Sequence, residues 1–427
     1  MSEPAVRSRV ARLPFFYGWL VVAGVFVLCL PVSGLAFYGL SVYLRAFVNE
    51  RGFSIAAISG ATALSYALGG PIGLEVARLD NRREPRPMIV AGALGAAVAL
   101  ALLGGATEVW QIYALYALLG CATALNSLVV GTTLVTRWFH RRRAGALAIA
   151  ISGLTTGGLL VAPLASWMIG RQGLGAAMPK LGLLYLVLAV PIPVLLLRPD
   201  PSAMGLRPDG DAAPLPGQAA AVAPSWDYAR AIRSRAFATV TVTLMFSQLA
   251  QVGGIAQLFN AASARTDEAT GRLCLMLVTI MGLAGRLAGA PLASRLGSRR
   301  FALGCYAAQG LGWAAVAVSF SRPALLAAAV LTGMTVGNTL LLHPLLLSEY
   351  FGPGSYAKIF AASQLVVTAG VAIGPFALGW VHDQAGGYVA AYAVAALSAA
   401  LGAVIFASGW HSYVPAERSA AAAPVAG

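Results

Sequence analysis

MIVAGALGAAVALALLGGA, residues 88–106, carries no charge, and as a helix rising 1.5 Å per residue it is about as long as the roughly 30 Å hydrocarbon core of a bilayer is thick. Its apolar residues run continuously, whereas a membrane barrel strand shows segments of about ten residues that alternate apolar and polar. The stretch therefore reads as a membrane helix. Arg82, Arg83 and Arg86 stand just ahead of it, and Leu181 to Leu197 has the same continuous character.

Working outward in both directions, the apolar runs and their charged or Gly/Pro-rich breaks predict twelve helices. They are α1 at about 16–45, α2 at 54–77, α3 at 87–106, α4 at 109–136, α5 at 143–169 and α6 at 180–197. After a polar stretch come α7 at about 236–260, α8 at 270–294, α9 at 300–320, α10 at 323–348, α11 at 357–381 and α12 at 388–409. The composition agrees: 59% apolar residues against 10% charged ones leave too little polar surface for a soluble domain. The predicted fold class is all-α, a polytopic membrane protein of two pseudo-symmetric six-helix bundles. Its parts are a cytoplasmic tail over 1–14, bundles over 15–197 and 236–410, a cytoplasmic linker over 198–235 whose stretch Arg198 to Ser225 reads as flexible, and a second cytoplasmic tail over 411–427.

The net charge of +14 belongs to topology, not to nucleic-acid binding. Arg7, Arg9, Arg12, Arg78, Arg82, Arg83, Arg86, Arg137, Arg141 to Arg143, Arg198, Arg207, Arg230, Arg233, Arg235, Arg295, Arg299, Arg300, Lys358 and Arg418 fall on one side. Only Arg45, Arg51, Arg171, Lys180, Arg265, Arg272 and Arg322 fall on the other. This bias predicts that both termini are cytoplasmic. Met1 to Pro14 is polar and basic, and the apolar run after Pro14 is too long for a signal-peptide core, so α1 is expected to stay. Cys29, Cys121, Cys274 and Cys305 lie singly in apolar runs and read as packing residues. No metal and no cofactor are expected, and no nucleophile and base pair in the apolar segments suggests an enzyme.

Gene-duplicated halves place similar residues at one constant offset. Setting Leu119 over Leu331 also pairs Thr123 with Thr335, Asn126 with Asn338, Trp138-Phe139 with Tyr350-Phe351, Gly158 with Gly370 and Pro163 with Pro375. One register thus joins α4 and α5 to α10 and α11.

Several short runs occur in a telling order: Phe16-Tyr17-Gly18-Trp19, then Arg137-Trp138-Phe139 with Arg141-Arg142-Arg143 and Gly145, then Ser152-Gly153, Gly157 and Pro163. Pro201-Ser202-Ala203-Met204-Gly205-Leu206-Arg207-Pro208-Asp209-Gly210 closes the series. On these the chain resembles the major facilitator superfamily of secondary transporters, and within it the bacterial branch of monocarboxylate porters and oxalate/formate antiporters. The superfamily's basic loop signature survives in part at Arg78, Arg82 and Arg83 and again at Arg295, Gly297, Arg299 and Arg300, but both signature carboxylates are absent. Arg78, Asp80 and Arg295 are the candidate gate residues, with Asp80 as the substitute carboxylate.

The acids lie in loops, tails or near helix ends, with Glu75 the deepest at about one turn from Arg78. Arg286 is the converse: it stands about 14 residues, roughly 21 Å, from Arg272 and about 9 residues, roughly 13 Å, from Arg295 along α8. A guanidinium at that depth is costly unless paired, and an incoming carboxylate matches its bidentate fork. The resemblance implies the same role, because porters of this branch carry a carboxylate-binding arginine in α8. The competing reading is that Arg286 caps backbone carbonyls. Asn126 and Asn338 occupy corresponding depths in α4 and α10, as cavity-lining groups or as interhelical packing. Tyr38, Gln248, Gln257 and Gln364, with Asn260 beside them, complete the candidate substrate-binding set. His343 is the histidine of the apolar segments and the proton-coupling candidate, with a satisfied packing histidine as its other reading.

The porters' α1 lysine is missing, and Gly282 stands where they have an aspartate one turn before the arginine. Lys358 lies too near the helix end to serve as the oxalate exchangers' second cation. The expected activity is movement of a small organic monocarboxylate anion across the bilayer, by facilitated diffusion or with protons or a counter-substrate as coupling partner. The alternatives are an exporter of a larger amphipathic or neutral metabolite or drug, and a transporter-like sensor.

Overall fold

Helices satisfy every backbone polar group within the segment, which lipid demands, and the apolar runs adopt them throughout. The computed structural model describes residues 15–79, 85–126, 128–210 and 226–409. Two compact units result, Met1–Ala221 and Val222–Gly427. Ten helical runs are long and apolar enough to cross a membrane. One of these, Arg143–Leu196, breaks at Gly173 into two passes, and Ile55–Leu79 adds a further one, so the described residues make twelve.

In the first unit α1 runs Gly18–Ala36 and, beyond a break at Phe37 and Tyr38, continues as Gly39–Arg51. Then come α2 (Ile55–Leu79), α3 (Pro85–Leu103) and α4 (Val109–Leu125 and Leu128–Trp138). Glu108 and Gln111 form a capping box that starts α4. Helix α5 comprises Arg143–Thr156, a π turn Gly157–Val161 and residues 162–172; α6 comprises residues 174–189 and Pro191–Leu196. The second unit holds α7 (Arg235–Arg265), α8 (Glu268–Leu296), α9 (Ser298–Val318), α10 (Arg322–Phe351), α11 (Tyr356–Ala385) and α12 (Tyr388–Ser408). Large apolar side chains such as Leu183, Leu311, Phe376 and Leu397 point outward, as expected where lipid replaces water.

Two expectations need correction. Helix α6 begins at 174, not 180, because the turn from α5 takes a single residue: Gly173 sits at φ 74°, a left-handed conformation open to glycine. The Glu50 carboxylate then accepts from the Leu174 amide at 2.8 Å, and Pro179 lies inside the helix. The second correction concerns the linker. Residues 198–210 are not a flexible stretch but a folded segment with two 3-10 turns, Pro201–Met204 and Pro208–Gly210.

The internal repeat extends beyond the sequence register. Gly153 and Gly157 of α5 lie so close to α1 that a Cβ would collide with the carbonyls of Phe26 and Leu30; Gly370 and Gly374 of α11 meet those of Met245 and Leu249 on α7 in the same way. Gly157, not Gly158, thus shares the role of the α11 pair, since Gly158 rests on the Tyr38 ring. Arg51 at the end of α1 donates to Gly104 O (2.6 Å) and Ala106 O (2.7 Å), capping α3. Arg265 at the end of α7 donates to Val316 O (2.6 Å) and Ser319 O (3.0 Å), capping α9. Each arginine ties a first helix to a third by filling orphan carbonyls.

Candidate functional site

Helix α8 is launched by Asp267, whose Oδ1 accepts from the Thr270 amide at 2.8 Å. That backbone bond holds the Asp267 carboxyl below its ordinary pKa. Eighteen residues further on, Gly285 and its neighbours Gly282 and Gly289 bring α8 against α10 at backbone contact. A Cβ on Gly337 would fall on the Gly282 carbonyl, and one on Gly285 would lie 2.5 Å from Met334 O. Small residues permit this approach where no hydrophobic effect drives helices together.

Arg286 sits in this seam, 1% exposed, and its Nε donates to Gly337 O at 3.0 Å. A helical carbonyl keeps a second lone pair after its own ladder bond, so the contact does not break α10. Asn338, the next residue, is 7% exposed and donates from Nδ2 to Met334 O at 2.8 Å. Its Oδ1 is buried against Gly289 with no hydrogen-bond partner. Arg286 and Asn338 therefore lie in the same seam between α8 and α10.

His343 lies on α10 five residues past Asn338, in a separate chain of contacts. Its Nε2 is 2.9 Å from Ser363 Oγ, which is 2.9 Å from Thr241 Oγ1. The ring also packs at 4.5 Å on Phe360. A second buried chain escaped the sequence reading: Ser247 Oγ donates to Gln309 Oε1 (2.6 Å), and Thr339 Oγ1 donates to Gln251 Oε1 (2.6 Å). Gln309 Nε2 closes it, donating to Ser247 O at 3.2 Å and Gln251 Oε1 at 3.4 Å. Gln309 is fully buried on α9, and only its isolated polarity in an apolar run could have marked it.

The other candidates are more scattered. Gln248 is half-buried with an Oε1 that has no partner. Gln257 reaches toward Gly379, and Gln364 is half-buried on α11. In the first unit Tyr38, 50% exposed, marks the break in α1, while Asn126 is buried where α4 breaks. With its amide turned to satisfy both ends, Asn126 donates to Ile89 O and accepts from the Ala93 amide, each at 3.1 Å. It thus binds α4 to α3. Of the gate residues, Arg295 is exposed, whereas Asp80 and the Arg78 side chain lie outside the described residues. The sequence reading also missed Glu349: at the end of α10 its Oε1 accepts from Ser298 Oγ at 2.6 Å, fixing the basic loop between α8 and α9. Among the described residues no three His, Cys, Asp or Glu side chains are placed to hold a metal.

Residues 26–267, more than half of the chain, match the family described as Major Facilitator Superfamily, and the protein belongs to that superfamily of membrane transporters. Its relatives include monocarboxylate transporter 13 of Rattus norvegicus, 26% identical over 158 residues, 36% of each chain. Another is the oxalate:formate antiporter of Oxalobacter formigenes, 28% identical over 200 residues, 47% of each. These alignments span less than half the length of either relative. Among solved structures, the Major Facilitator Superfamily transporter FucP in its outward conformation superposes with a TM-score of 0.71 at 13% identity, covering 92% of this chain and 98% of that one. That likeness concerns the fold alone.

Proposed function

We propose that this transporter carries a small organic monocarboxylate by alternating access, with Arg286 as the anchor of the substrate carboxylate. The observation that carries the reading is a guanidinium buried to 1% exposure in mid-helix, in a chain whose acids all lie in loops, tails or near helix ends. An arginine at that depth in a membrane helix is a functional-site candidate, and a substrate carboxylate matches the bidentate fork of its guanidinium. Relatives named as monocarboxylate transporter and oxalate:formate antiporter agree with an anionic substrate. The lack of a second deep cation favours a monoanion over a dianion.

Movement is by facilitated diffusion, by exchange with a counter-substrate, or by proton symport through His343, whose contact to Ser363 joins α10 to α11. A second reading draws on the bond from Arg286 Nε to Gly337 O: the arginine then only braces α8 on α10, and the cargo is a larger amphipathic or neutral metabolite leaving the cell. Uptake of radiolabelled monocarboxylates into proteoliposomes separates the two. The anchor reading expects Arg286→Ala to abolish saturable uptake and Arg286→Lys to restore part of it. Wild-type uptake by the alanine variant contradicts it.

A further inference from the structure

Three stretches that are far apart in sequence meet at the basic end of the first unit. The Phe16 ring lies 5.7 Å from Trp138 and 5.5 Å from Phe139, and Tyr17 lies 5.5 Å from Trp138. Around this aromatic cluster the chain leaving α6 passes from neighbour to neighbour. Tyr17 Oη donates to Leu196 O (3.1 Å), Arg86 Nε to Leu197 O (3.2 Å) and Trp138 Nε1 to Arg198 O (3.1 Å). Asp200 then accepts from the Ser202 amide at 2.7 Å and starts the turn Pro201–Met204, which buries Met204 to 8% exposure. Gly210 rests against the Phe16 ring.

The segment ends on a carboxylate. Asp209 Oδ2 accepts from the backbone amides of His140 (2.9 Å) and Arg141 (2.7 Å), and its Oδ1 accepts from that of Arg142 (3.2 Å). These amides lead into α5, where the helix dipole favours an anion. Asp209 is also the non-glycine residue with positive φ, 59°, among the described residues. That conformation disfavours a side chain, so three charge-assisted bonds are the compensating interaction.

We propose that residues 198–210 are a strap and that the Asp209 carboxylate is its clasp, joining the ends of α1, α3, α4, α5 and α6 into one block that moves as a body. The strap supplies from the connecting segment a carboxylate that the basic run between α4 and α5, Arg137 to Arg143, itself lacks. The second unit has a related anchor: the Trp226 amide donates to Phe351 O at 2.9 Å and its ring meets Phe351 edge-on at 5.7 Å, so the chain entering α7 is pinned to the end of α10. Phe351 occupies the register position of Phe139.

Amide hydrogen exchange on the full-length protein in nanodiscs tests this without any substrate. Asp209→Gly deletes the carboxylate while easing the backbone; Asp209→Asn keeps size and left-handed tolerance but removes the charge. The strap predicts that in Asp209→Gly the amides of His140 to Arg142 exchange at least about tenfold faster, with matching acceleration in residues 200–206. Asp209→Asn should show the same pattern at smaller amplitude, and it decides the matter if the glycine variant does not fold. Wild-type exchange in both regions, or acceleration confined to 140–142 while 200–206 keep their protection, overturns the proposal.

Discussion

Gly282 and Gly337 face each other across the seam that holds Arg286, yet their tolerance of a methyl group should differ sharply. A Cβ on Gly337 falls on the Gly282 carbonyl oxygen, which is backbone and cannot rotate away. Helices α8 and α10 would have to part or slide, loosening the contacts of Gly285 with Met334 and Gly289 with Asn338 as well. Overpacking of this kind costs about 1–3 kcal/mol, and Gly337→Ala belongs at the upper end because several contacts shift together. A Cβ on Gly282 instead meets Gly333 O at 3.6 Å and the Gly337 amide at 3.8 Å, ordinary van der Waals distances. With better helix propensity by about 1 kcal/mol, Gly282→Ala should be neutral or slightly stabilising. Thermal unfolding of the purified protein in one detergent reads both. The expected result is a Tm several degrees lower for Gly337→Ala and unchanged or higher for Gly282→Ala. Equal shifts, or a reversed order, would refute the backbone-contact account of the seam.

Other substitutions probe the rest of the scaffold. Arg51→Ala and Arg265→Ala each leave two helix-end carbonyls without their cap, and each should destabilise by about 1–3 kcal/mol in chemical unfolding; a loss at one site only would break the repeat argument. Gln309→Leu strips Ser247 and Gln251 of a buried partner and should likewise lower the unfolding midpoint by the equivalent of about 1–3 kcal/mol, whereas an unchanged midpoint would show the chain of contacts to be dispensable. Asp267 titrates below its ordinary value in the folded protein, so its stabilising contribution is present above about pH 4 and fades as pH falls through the lowered pKa. Wild-type Tm should therefore drop more steeply on acidification below about pH 4 than that of Asp267→Asn, and parallel curves would contradict the cap.

The fold was largely legible because the bilayer imposes one rule, a long apolar run per pass, and residues 88–106 and their counterparts obey it. Boundaries shifted at the turn from α5 to α6: the sequence reading leaves residues 170–179 for it, and Gly173 makes it alone. The strap was misread for the opposite reason. Its Pro, Gly and Asp content resembles a linker, but those residues are spent on 3-10 turns and on the Asp209 clasp. The repeat was visible in Asn126 and Asn338, yet the two amides do different things, one binding α3 and the other lying against Gly289. Depth could be counted for Arg286, because helical rise is fixed. Facing could not, since the glycines of α8 and α10 decide it through packing.

Arg286 is the centre of the functional account, and transport in proteoliposomes tests it most directly. Saturable uptake of a labelled monocarboxylate that disappears in Arg286→Ala and partly returns in Arg286→Lys, with both variants folded and reconstituted to the wild-type amount, is the predicted result. Uptake by Arg286→Ala with the KM and maximal rate of the wild type would contradict it.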